Sequence, residues 1–467
     1  MNPRGPDSGA GLWSLAAYAT MVLGAIALFL IVRRYGETLQ APARVASAAE
    51  IAVASDAAPN ALFHVLLALA AVIVVGRLMA RLFVTIGQPP VIGEVLAGIA
   101  LGPSLLGRIA PDISSYILPV SAAPFLNLVA QLGIILYMFL VGLDLNADLL
   151  RGRARATVVT SHASIVAPFI LGSSLAIYLY PRLSTSDVPF TSFALFMGVA
   201  MSITAFPVLA RILTDRGMSR TELGVVALTC AAADDVTAWC LLAFVIGVVH
   251  ARVEGALMVA IMTVGFIALM FLVVRPIVVR IVAPAGSRSA DRPPTHEAIA
   301  LALAGLLVSA LTTERIGVHA IFGAFLFGAM IPHNSGLARG LIQKLHDLVT
   351  ILLLPAFFAF TGMRTQIGLV SGLSPWLLCG LIIIVATAGK FGGTLVAARF
   401  MGMDWRQAAS LGILMNTRGL MELIVLNIGL DLGVISPALF TMMVLMALAT
   451  TIATTPALEL VRYNRPS

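Results

Sequence analysis

The sequence predicts an all-α polytopic membrane protein with about thirteen transmembrane helices and one extra N-terminal helix. Of its 467 residues, 60% are hydrophobic and only 11% are charged. Soluble domains average about 45–50% apolar and about 25% charged residues, so no water-soluble fold of this length could hide so much apolar surface. A membrane-spanning helix needs roughly 20 apolar residues, and about a dozen such helices with short loops account for the chain.

Fourteen apolar segments follow one another along the chain. The first, at residues 12–32, is too long for the core of a signal peptide, so we expect it to remain as an extra helix. The other thirteen lie at about 61–83, 90–107, 124–143, 157–180, 190–210, 221–249, 254–274, 296–313, 316–332, 347–362, 375–398, 407–430 and 435–458. We therefore expect an N-terminal helix and loop (1–60), a transmembrane domain (61–458) and a short tail (459–467).

The distribution of basic residues predicts the orientation. Cytoplasmic loops carry an excess of Lys and Arg, and alternate loops here carry clusters while the others carry scattered single arginines. The clustered residues are Arg81, Arg151, Arg153, Arg155, Arg211, Arg216, Arg220, Arg275, Arg280, Arg288, Arg292, Arg339, Lys344, Arg399, Arg406, Arg462 and Arg465. This pattern places the C-terminus in the cytoplasm. Arg33 and Arg34 conflict with it, which leaves the orientation of the first helix open.

Two interrupted helices are predicted, one in each half of the chain. A polar loop at residues 283–295 divides the chain roughly in half. Pro207 interrupts the apolar segment 190–210, and the polar run from Met415 to Gly419 interrupts a later one. Many transporters consist of two inverted repeats whose broken helices meet near the membrane midplane. We therefore expect two unwound helices that cross.

Two adjacent carboxylates, Asp234 and Asp235, lie deep in the segment 221–249. Thirteen residues at 1.5 Å each place Asp234 roughly 20 Å from the start of its helix, where one carboxylate costs about 2.5–3.5 kcal/mol. Burial and mutual repulsion disfavour the ionised forms, so such a pair can hold a proton and release it to a cation. Thr204 and Ser202 offer hydroxyl oxygens, which hard cations accept as ligands. A silent pair of buried acids is the alternative.

Three further charged residues lie inside apolar segments. Lys390 needs a carboxylate partner at that depth, and Asp234 is the natural candidate; a lysine that snorkels to the interface is the alternative. Arg418 and Glu422 are spaced i,i+4 in the second interrupted helix. A local ion pair that stabilises the helix break is favoured over direct ion handling.

Four motifs resemble one known family. The stretch from Gln88 to Ile99 with Leu101-Gly102-Pro103, the stretch Ser202–Arg211, the triplet Ala233-Asp234-Asp235 and the stretch Asn416–Leu423 occur in that order. They resemble the second branch of the monovalent cation/proton antiporter superfamily, the sodium/hydrogen exchanger domain. The last motif is most similar to that of plant and fungal cation/H+ exchangers, and the resemblance covers about residues 61–458.

The resemblance implies the inverted-repeat antiporter fold, with a core domain that carries the crossed broken helices and a separate domain that forms a homodimer. It also implies an elevator-like motion, ion binding at Asp235 and pairing of Lys390 with Asp234. The Asp-Asp form is associated with electrogenic exchange. Leu420 and Met421 depart from many prokaryotic members, which carry Glu directly after the Arg-Gly pair.

We therefore expect exchange of Na+ or K+ for protons across a bacterial plasma membrane, in the service of pH homeostasis. No cofactor is expected beyond the transported cation and H+, and no nucleic-acid partner. A sodium-coupled organic-solute symporter of related fold is the alternative, although the adjacent aspartates would repel an anionic solute. A gated cation channel is a further alternative. An enzyme is not expected, since no nucleophile–base pair or set of metal ligands is recognisable.

Overall fold

The computed structural model describes residues 8–43, 61–144, 154–219, 221–250, 253–282 and 294–461, and the secondary structure within these ranges is helical. The helices in chain order are α1 Ser8–Gly36, α2 Ala61–Thr85, α3 Pro90–Leu101, α4 Leu106–Ile109, α5 Pro111–Ile117, α6 Ala123–Asp144, α7 Ala154–Leu183, α8 Phe190–Ser202, α9 Phe206–Asp215, α10 Glu222–His250, α11 Val253–Leu269, α12 Arg275–Val282, α13 His296–Ile316, α14 Ala320–Met330, α15 Gly336–Asp347, α16 Leu354–Arg364, α17 Leu373–Thr387, α18 Gly393–Phe400, α19 Trp405–Met415, α20 Leu420–Asp431 and α21 Pro437–Leu460. Wide π-helical turns join α11 to α12, α15 to α16 and α17 to α18.

The predicted all-helical, polytopic fold class is confirmed. Within the described ranges, twelve helices are long and apolar enough to cross a membrane, and the bent pair α19–α20 makes up to thirteen. Each of the fourteen apolar segments coincides with one of these helices or with the shorter helix α14. The extra N-terminal helix is present as α1.

Two boundaries differ from the prediction. The predicted segment 316–332 contains a helix of only 11 residues, because Gly317 adopts a left-handed conformation (φ 92°) before α14 and Ile331 is extended after it. The predicted segment 347–362 begins too late. Helix α15 starts at Gly336, where the Ser335 hydroxyl accepts a hydrogen bond from the Ala338 amide at 3.1 Å. Arg339 and Lys344 therefore lie on a helix and not in a loop.

Several predicted features lie wholly or partly outside the described residues. The polar loop 283–295 is described only at its last two residues, and the tail 459–467 only as far as residue 461. Of the loop between α1 and α2, residues 44–60 fall outside the described ranges. Among the clustered basic residues, Arg151, Arg153, Arg220, Arg288, Arg292, Arg462 and Arg465 fall outside them as well. The orientation drawn from these residues stays a prediction.

The chain divides into two compact units, and both interrupted helices belong to the first. This unit comprises Met1–Arg44, Asp148–Ala238 and Gly372–Ser467. Its helices pack in close pairs, with α7 against α8, α1 against α7, and α17 against α21. Helix α10 begins in this unit and brings both aspartates into it.

Glycine allows α7 to approach the π-helical turn Ala388–Gly392 that carries Lys390. A Cβ atom on Gly389 would lie 2.7 Å from the Pro168 Cα atom of α7, a distance that real Cβ atoms do not reach. Backbone atoms cannot move aside as a flexible side chain can. Gly389 thus fixes the separation between α7 and the Lys390 turn.

The second unit comprises Val45–Ala147 and Trp239–Ser371. Here α3 packs against α2 and α16, and α6 packs against α14 and α16. Gly98 of α3 approaches the backbone of α16 so closely that a Cβ atom would lie 2.1 Å from the Phe358 carbonyl oxygen. Phe139 and Phe327 stack with their ring centroids 6.1 Å apart. The unit is a close-packed helical bundle.

Gly389→Ala should destabilise the first unit, because the added methyl group collides with the α7 backbone. Overpacking of this kind costs about 1–3 kcal/mol. Gly392 lies in the same turn with nothing within 4 Å of its Cβ position, so Gly392→Ala is the matched control. That control should leave the melting temperature unchanged or raise it, since alanine favours a helix by about 0.5–1 kcal/mol. Equal melting temperatures for the two variants in detergent would contradict the packing account.

Candidate ion-binding site

Proline sets the position of the first helix break. Helix α8 ends at Ser202 and α9 begins at Phe206, with Pro207 in its first turn. A proline ring clashes with the carbonyl group four residues earlier, so an α-helix cannot continue from Ile203 through Pro207. In the first turn of a helix the missing N–H of proline has no consequence, because N–H groups in that turn have no intrahelical hydrogen-bond acceptor.

The second break lies between α19 and α20, at residues 416–419, and these two helices are bent by 45°. Gly419 permits close contact with the first break, since a Cβ atom there would lie 2.8 Å from Val208 Cγ2. The Ala205 amide donates a hydrogen bond to the Thr417 carbonyl at 3.0 Å. The Thr204 hydroxyl oxygen lies 3.1 Å from the Met415 carbonyl oxygen. The two unwound segments are therefore hydrogen-bonded to each other.

Two buried cations neutralise the C-terminal end of α8. The last carbonyl groups of a helix lack intrahelical partners and carry partial negative charge. Arg418 donates to the carbonyl oxygens of Ala200 at 3.0 Å and Met201 at 2.6 Å. Lys390 Nζ donates to the carbonyl oxygen of Ser202 at 2.5 Å. Three successive carbonyl groups are thus satisfied by charged donors.

Asp234 is fully engaged by hydrogen bonds. Its Oδ1 accepts from Ser161 Oγ at 2.6 Å. Its Oδ2 accepts from Ser164 Oγ at 2.6 Å, Thr204 Oγ1 at 3.1 Å and Lys390 Nζ at 2.9 Å. The Asp234 and Lys390 side chains are both fully buried. This carboxylate has one cation and three hydroxyl donors, which stabilise its ionised form.

Asp235 has none of these partners, although it is the next residue. It is 2% exposed, and neither of its carboxylate oxygens has a hydrogen-bond partner among the described residues. Successive residues on a helix point about 100° apart, so the groups that surround Asp234 do not reach it. Buried polar atoms without partners are rare in proteins. The Asp235 carboxylate therefore needs a proton or a cation that the described residues do not supply.

Arg418 and Glu422 form the second buried ion pair of the first unit. Arg418 Nη1 lies 2.8 Å from Glu422 Oε2, and both side chains are fully buried. Glu422 lies in the first turn of α20, where a negative charge is favoured by the helix dipole. The pair bridges the second break and, through Arg418, holds it to the end of α8.

Most of the chain, including every residue of this site, matches a known protein family. Residues 59–460 match the family described as "Sodium/hydrogen exchanger, transmembrane". The chain belongs to the sodium/hydrogen exchanger family. Its relatives place it in the second branch of the monovalent cation/proton antiporters, as the motifs predicted. The family is one of transporters and not of enzymes, and the relatives are named as cation/proton antiporters, so the match favours exchange over the symporter and channel alternatives.

Three relatives show how far the likeness extends. The chain is 44% identical over 399 residues to the Na+/H+ antiporter NhaS4 of Synechocystis and covers 97% of it. It is 41% identical to cation/H+ antiporter 20 of Arabidopsis thaliana and 33% identical to K+/H+ antiporter 1 of Saccharomyces cerevisiae. It spans only 47% and 42% of those two proteins. The likeness to the plant and yeast exchangers is therefore confined to about half their length.

The fold is shared with a solved antiporter structure. The sodium proton antiporter MjNhaP1 from Methanocaldococcus jannaschii superimposes with a TM-score of 0.65 at 15% sequence identity. The match covers 86% of this chain and 99% of that one. The chain is thus a multi-pass membrane protein with the antiporter fold.

The candidate site brings together most of the residues predicted from the sequence, with one difference. Asp234, Lys390 and Thr204 are in contact, and Arg418 pairs with Glu422. The Ser202 hydroxyl instead lies 3.0 and 2.6 Å from the carbonyl oxygens of Ile165 and Gly198, to which it can donate one hydrogen bond. Only the Ser202 carbonyl takes part in the site, through Lys390.

Sequence reasoning missed the two serines that bind Asp234. Ser161 and Ser164 lie three residues apart in α7, so they share one helix face. That spacing within an apolar segment was the available signal. It was weak, because serine also mediates ordinary packing between membrane helices.

Lys390→Met should destabilise the protein strongly, because it leaves Asp234 buried without a countercharge. Removing one partner of a buried pair costs about 3–5 kcal/mol. The double variant Asp234→Asn/Lys390→Met removes both charges and should recover part of the lost stability. Lys344→Met, at an exposed lysine on α15, is the control and should melt like the wild type. Thermal unfolding in detergent measures all three, and a double variant no more stable than Lys390→Met would contradict the pairing.

Proposed function

We propose that a monovalent cation and a proton compete for the carboxylate of Asp235, and that this competition drives exchange across the membrane. The observation that carries the proposal is the charge balance of the buried site. It holds two cations, Lys390 and Arg418, and three carboxylates. Each cation forms an ion pair with one carboxylate. One carboxylate, that of Asp235, is left over.

A single uncompensated carboxylate suits a single monovalent charge. An ionised carboxylate in a low-dielectric site is strongly disfavoured unless it is paired. A proton or a monovalent cation each removes that penalty, and the two cannot occupy the same carboxylate oxygens together. Asp235 therefore alternates between a protonated state and a cation-bound state, which couples cation transport to proton transport.

The remaining polar groups hold the site in shape. Thr204 bridges Asp234 and the Met415 carbonyl, so it ties the fixed carboxylate to the second break. Ser202 contributes a carbonyl oxygen to Lys390. Hard cations take oxygen ligands, and carbonyl oxygens freed at the two breaks complete the shell around a cation at Asp235. In this scheme Asp234 and Lys390 set the local field and do not exchange protons.

The physiological setting follows from the direction of the proton gradient. In a bacterial plasma membrane with the C-terminus in the cytoplasm, inward proton flow through Asp235 would export Na+ or K+. The similarity to NhaS4 of Synechocystis supports a bacterial exchanger.

The predicted homodimer belongs to the same proposal, and native mass spectrometry in detergent would detect it. A C-terminal fluorescent fusion that is bright only in the cytoplasm would test the orientation.

The transported ion is Na+ or K+. Among the relatives, NhaS4 is named for Na+ and the yeast protein for K+. Proteoliposomes that contain a pH dye would separate the two, with Li+, Na+, K+ and Rb+ added in turn across pH 6 to 9. A pH response to one or more of these ions supports exchange. No response to any of them would contradict it.

Asp235→Asn should abolish this response, because an asparagine side chain carries no charge for which a cation and a proton can compete. Asp215→Asn is the matched control, since Asp215 is exposed and pairs with Arg211 in a surface ion pair. It should retain wild-type exchange. Equal melting temperatures for the two variants would show that the Asp235 variant is folded. Retained exchange in Asp235→Asn would overturn the assignment of the ion-binding residue.

A further inference from the structure

The second break depends on α21, a helix that carries no charged residue of the ion-binding site. The C-terminal half of helix α21 contains two adjacent pairs of threonines, Thr450-Thr451 and Thr454-Thr455, all of them buried. Threonine hydroxyls in helices commonly donate to the carbonyl group four residues earlier. Thr450 does this, with its hydroxyl 2.9 Å from the Met446 carbonyl oxygen and 3.1 Å from that of Ala447.

Thr451 does more than bond to its own helix. Its hydroxyl accepts a hydrogen bond from the Arg418 amide at 3.1 Å and lies 2.7 Å from the Arg418 carbonyl oxygen. The same hydroxyl lies 2.7 Å from the Ala447 carbonyl oxygen. One side chain thus lies within hydrogen-bonding distance of both backbone groups of the residue at the centre of the second break.

Backbone groups in an unwound segment need such partners. The helix break removes their intrahelical hydrogen bonds, and a buried amide or carbonyl group without a partner is strongly disfavoured. The Thr417 hydroxyl adds a second contact with α21, 3.4 Å from the Thr454 hydroxyl. Thr417, Arg418, Thr451 and Thr454 are each at most 2% exposed. The break is thus fastened to α21 by two threonines one helical turn apart.

We propose that Thr451 is a positioning residue for cation exchange. It fixes the backbone of Arg418, and the Arg418 side chain in turn holds the carbonyl groups of Ala200 and Met201 at the first break. The Thr204 hydroxyl lies 3.1 Å from both the Met415 carbonyl oxygen and Asp234 Oδ2. Hydrogen bonds, together with the backbone from Met415 to Arg418, therefore link Thr451 to the carboxylate beside Asp235.

This inference rests on the proposed exchange at Asp235 and adds a residue outside the four motifs that resemble the family. Loss of the Thr451 hydroxyl would let the unwound backbone shift and move the oxygens that surround the cation. The cation concentration for half-maximal exchange would then rise, while the maximal rate would change less.

Thr451→Val tests this, because valine keeps the shape of threonine and lacks the hydroxyl. We expect the half-maximal cation concentration to rise about tenfold, as for one buried backbone group left unsatisfied, with the maximal rate within about twofold of wild type. Thr451→Ser restores the hydroxyl and should restore cation affinity. Thr450→Val is the matched control, since among the described residues Thr450 bonds within α21 alone, and it should exchange like wild type.

The outcomes separate the two proposals. Wild-type protein that exchanges no cation overturns the proposed function and this inference with it. Wild-type exchange with Thr451→Val indistinguishable from Thr450→Val overturns the positioning role alone. A reduced maximal rate at unchanged cation affinity, or no recovery in Thr451→Ser, also overturns it. Thr451→Ala repeats the test if the valine variant is not recovered folded, and there too a raised half-maximal cation concentration supports the role while an unchanged one overturns it.

Discussion

The ion pair between Asp234 and Lys390 is the interaction on which the site depends. Both groups are fully buried in the first unit, with nitrogen and oxygen 2.9 Å apart. A buried pair contributes little net stability, because desolvation offsets much of the attraction between the charges. Its effect is to distinguish the two adjacent aspartates from each other. One cation and three hydroxyl groups surround the Asp234 carboxylate, and the adjacent Asp235 is left as the carboxylate without a hydrogen-bond partner among the described residues.

The buried charged residues supply the hydrogen-bond partners that the helix breaks require. Pro207 and the polar run around Arg418 interrupt two helices, and each interruption leaves backbone groups that need partners in a buried setting. Lys390 and Arg418 supply donors to the carbonyl groups at the end of α8, and Thr451 supplies both a donor and an acceptor to Arg418 itself. The same cations neutralise Asp234 and Glu422. Every charge in the described site except that of Asp235 thus has a structural partner.

Hydropathy predicted the fold class, because a run of about twenty apolar residues per helix is a local property of the sequence. Pro207 and Gly419 marked the breaks for a similar reason, since their backbone restrictions are also local. The proximity of Lys390 and Asp234 followed from a general rule, that an intramembrane charge needs an opposite charge. The family resemblance then ordered these features into one fold.

Other features depend on tertiary approach and were out of reach. The Ser202 hydroxyl turns to carbonyl groups of α7 and α8, a choice that only the packing of those helices determines. Ser161, Ser164 and Thr451 become significant because their helices pass the site at hydrogen-bonding distance. The shortness of α14 follows from the left-handed turn at Gly317, and the early start of α15 from the cap at Ser335. Hydropathy predicts neither the turn nor the cap.

The central claim is that only one of the two adjacent aspartates exchanges its proton. Proton release on cation binding tests it most directly, because a cation that displaces a proton changes the pH of a weakly buffered solution. Purified protein in detergent would be titrated with the transported cation at a pH where Asp235 is protonated. The account predicts release of about one proton per cation bound, which would make the exchange electroneutral and not electrogenic as the family resemblance implies. Release of two protons would show that Asp234 or Lys390 also gives up a proton, and release of none would show that cation and proton do not compete.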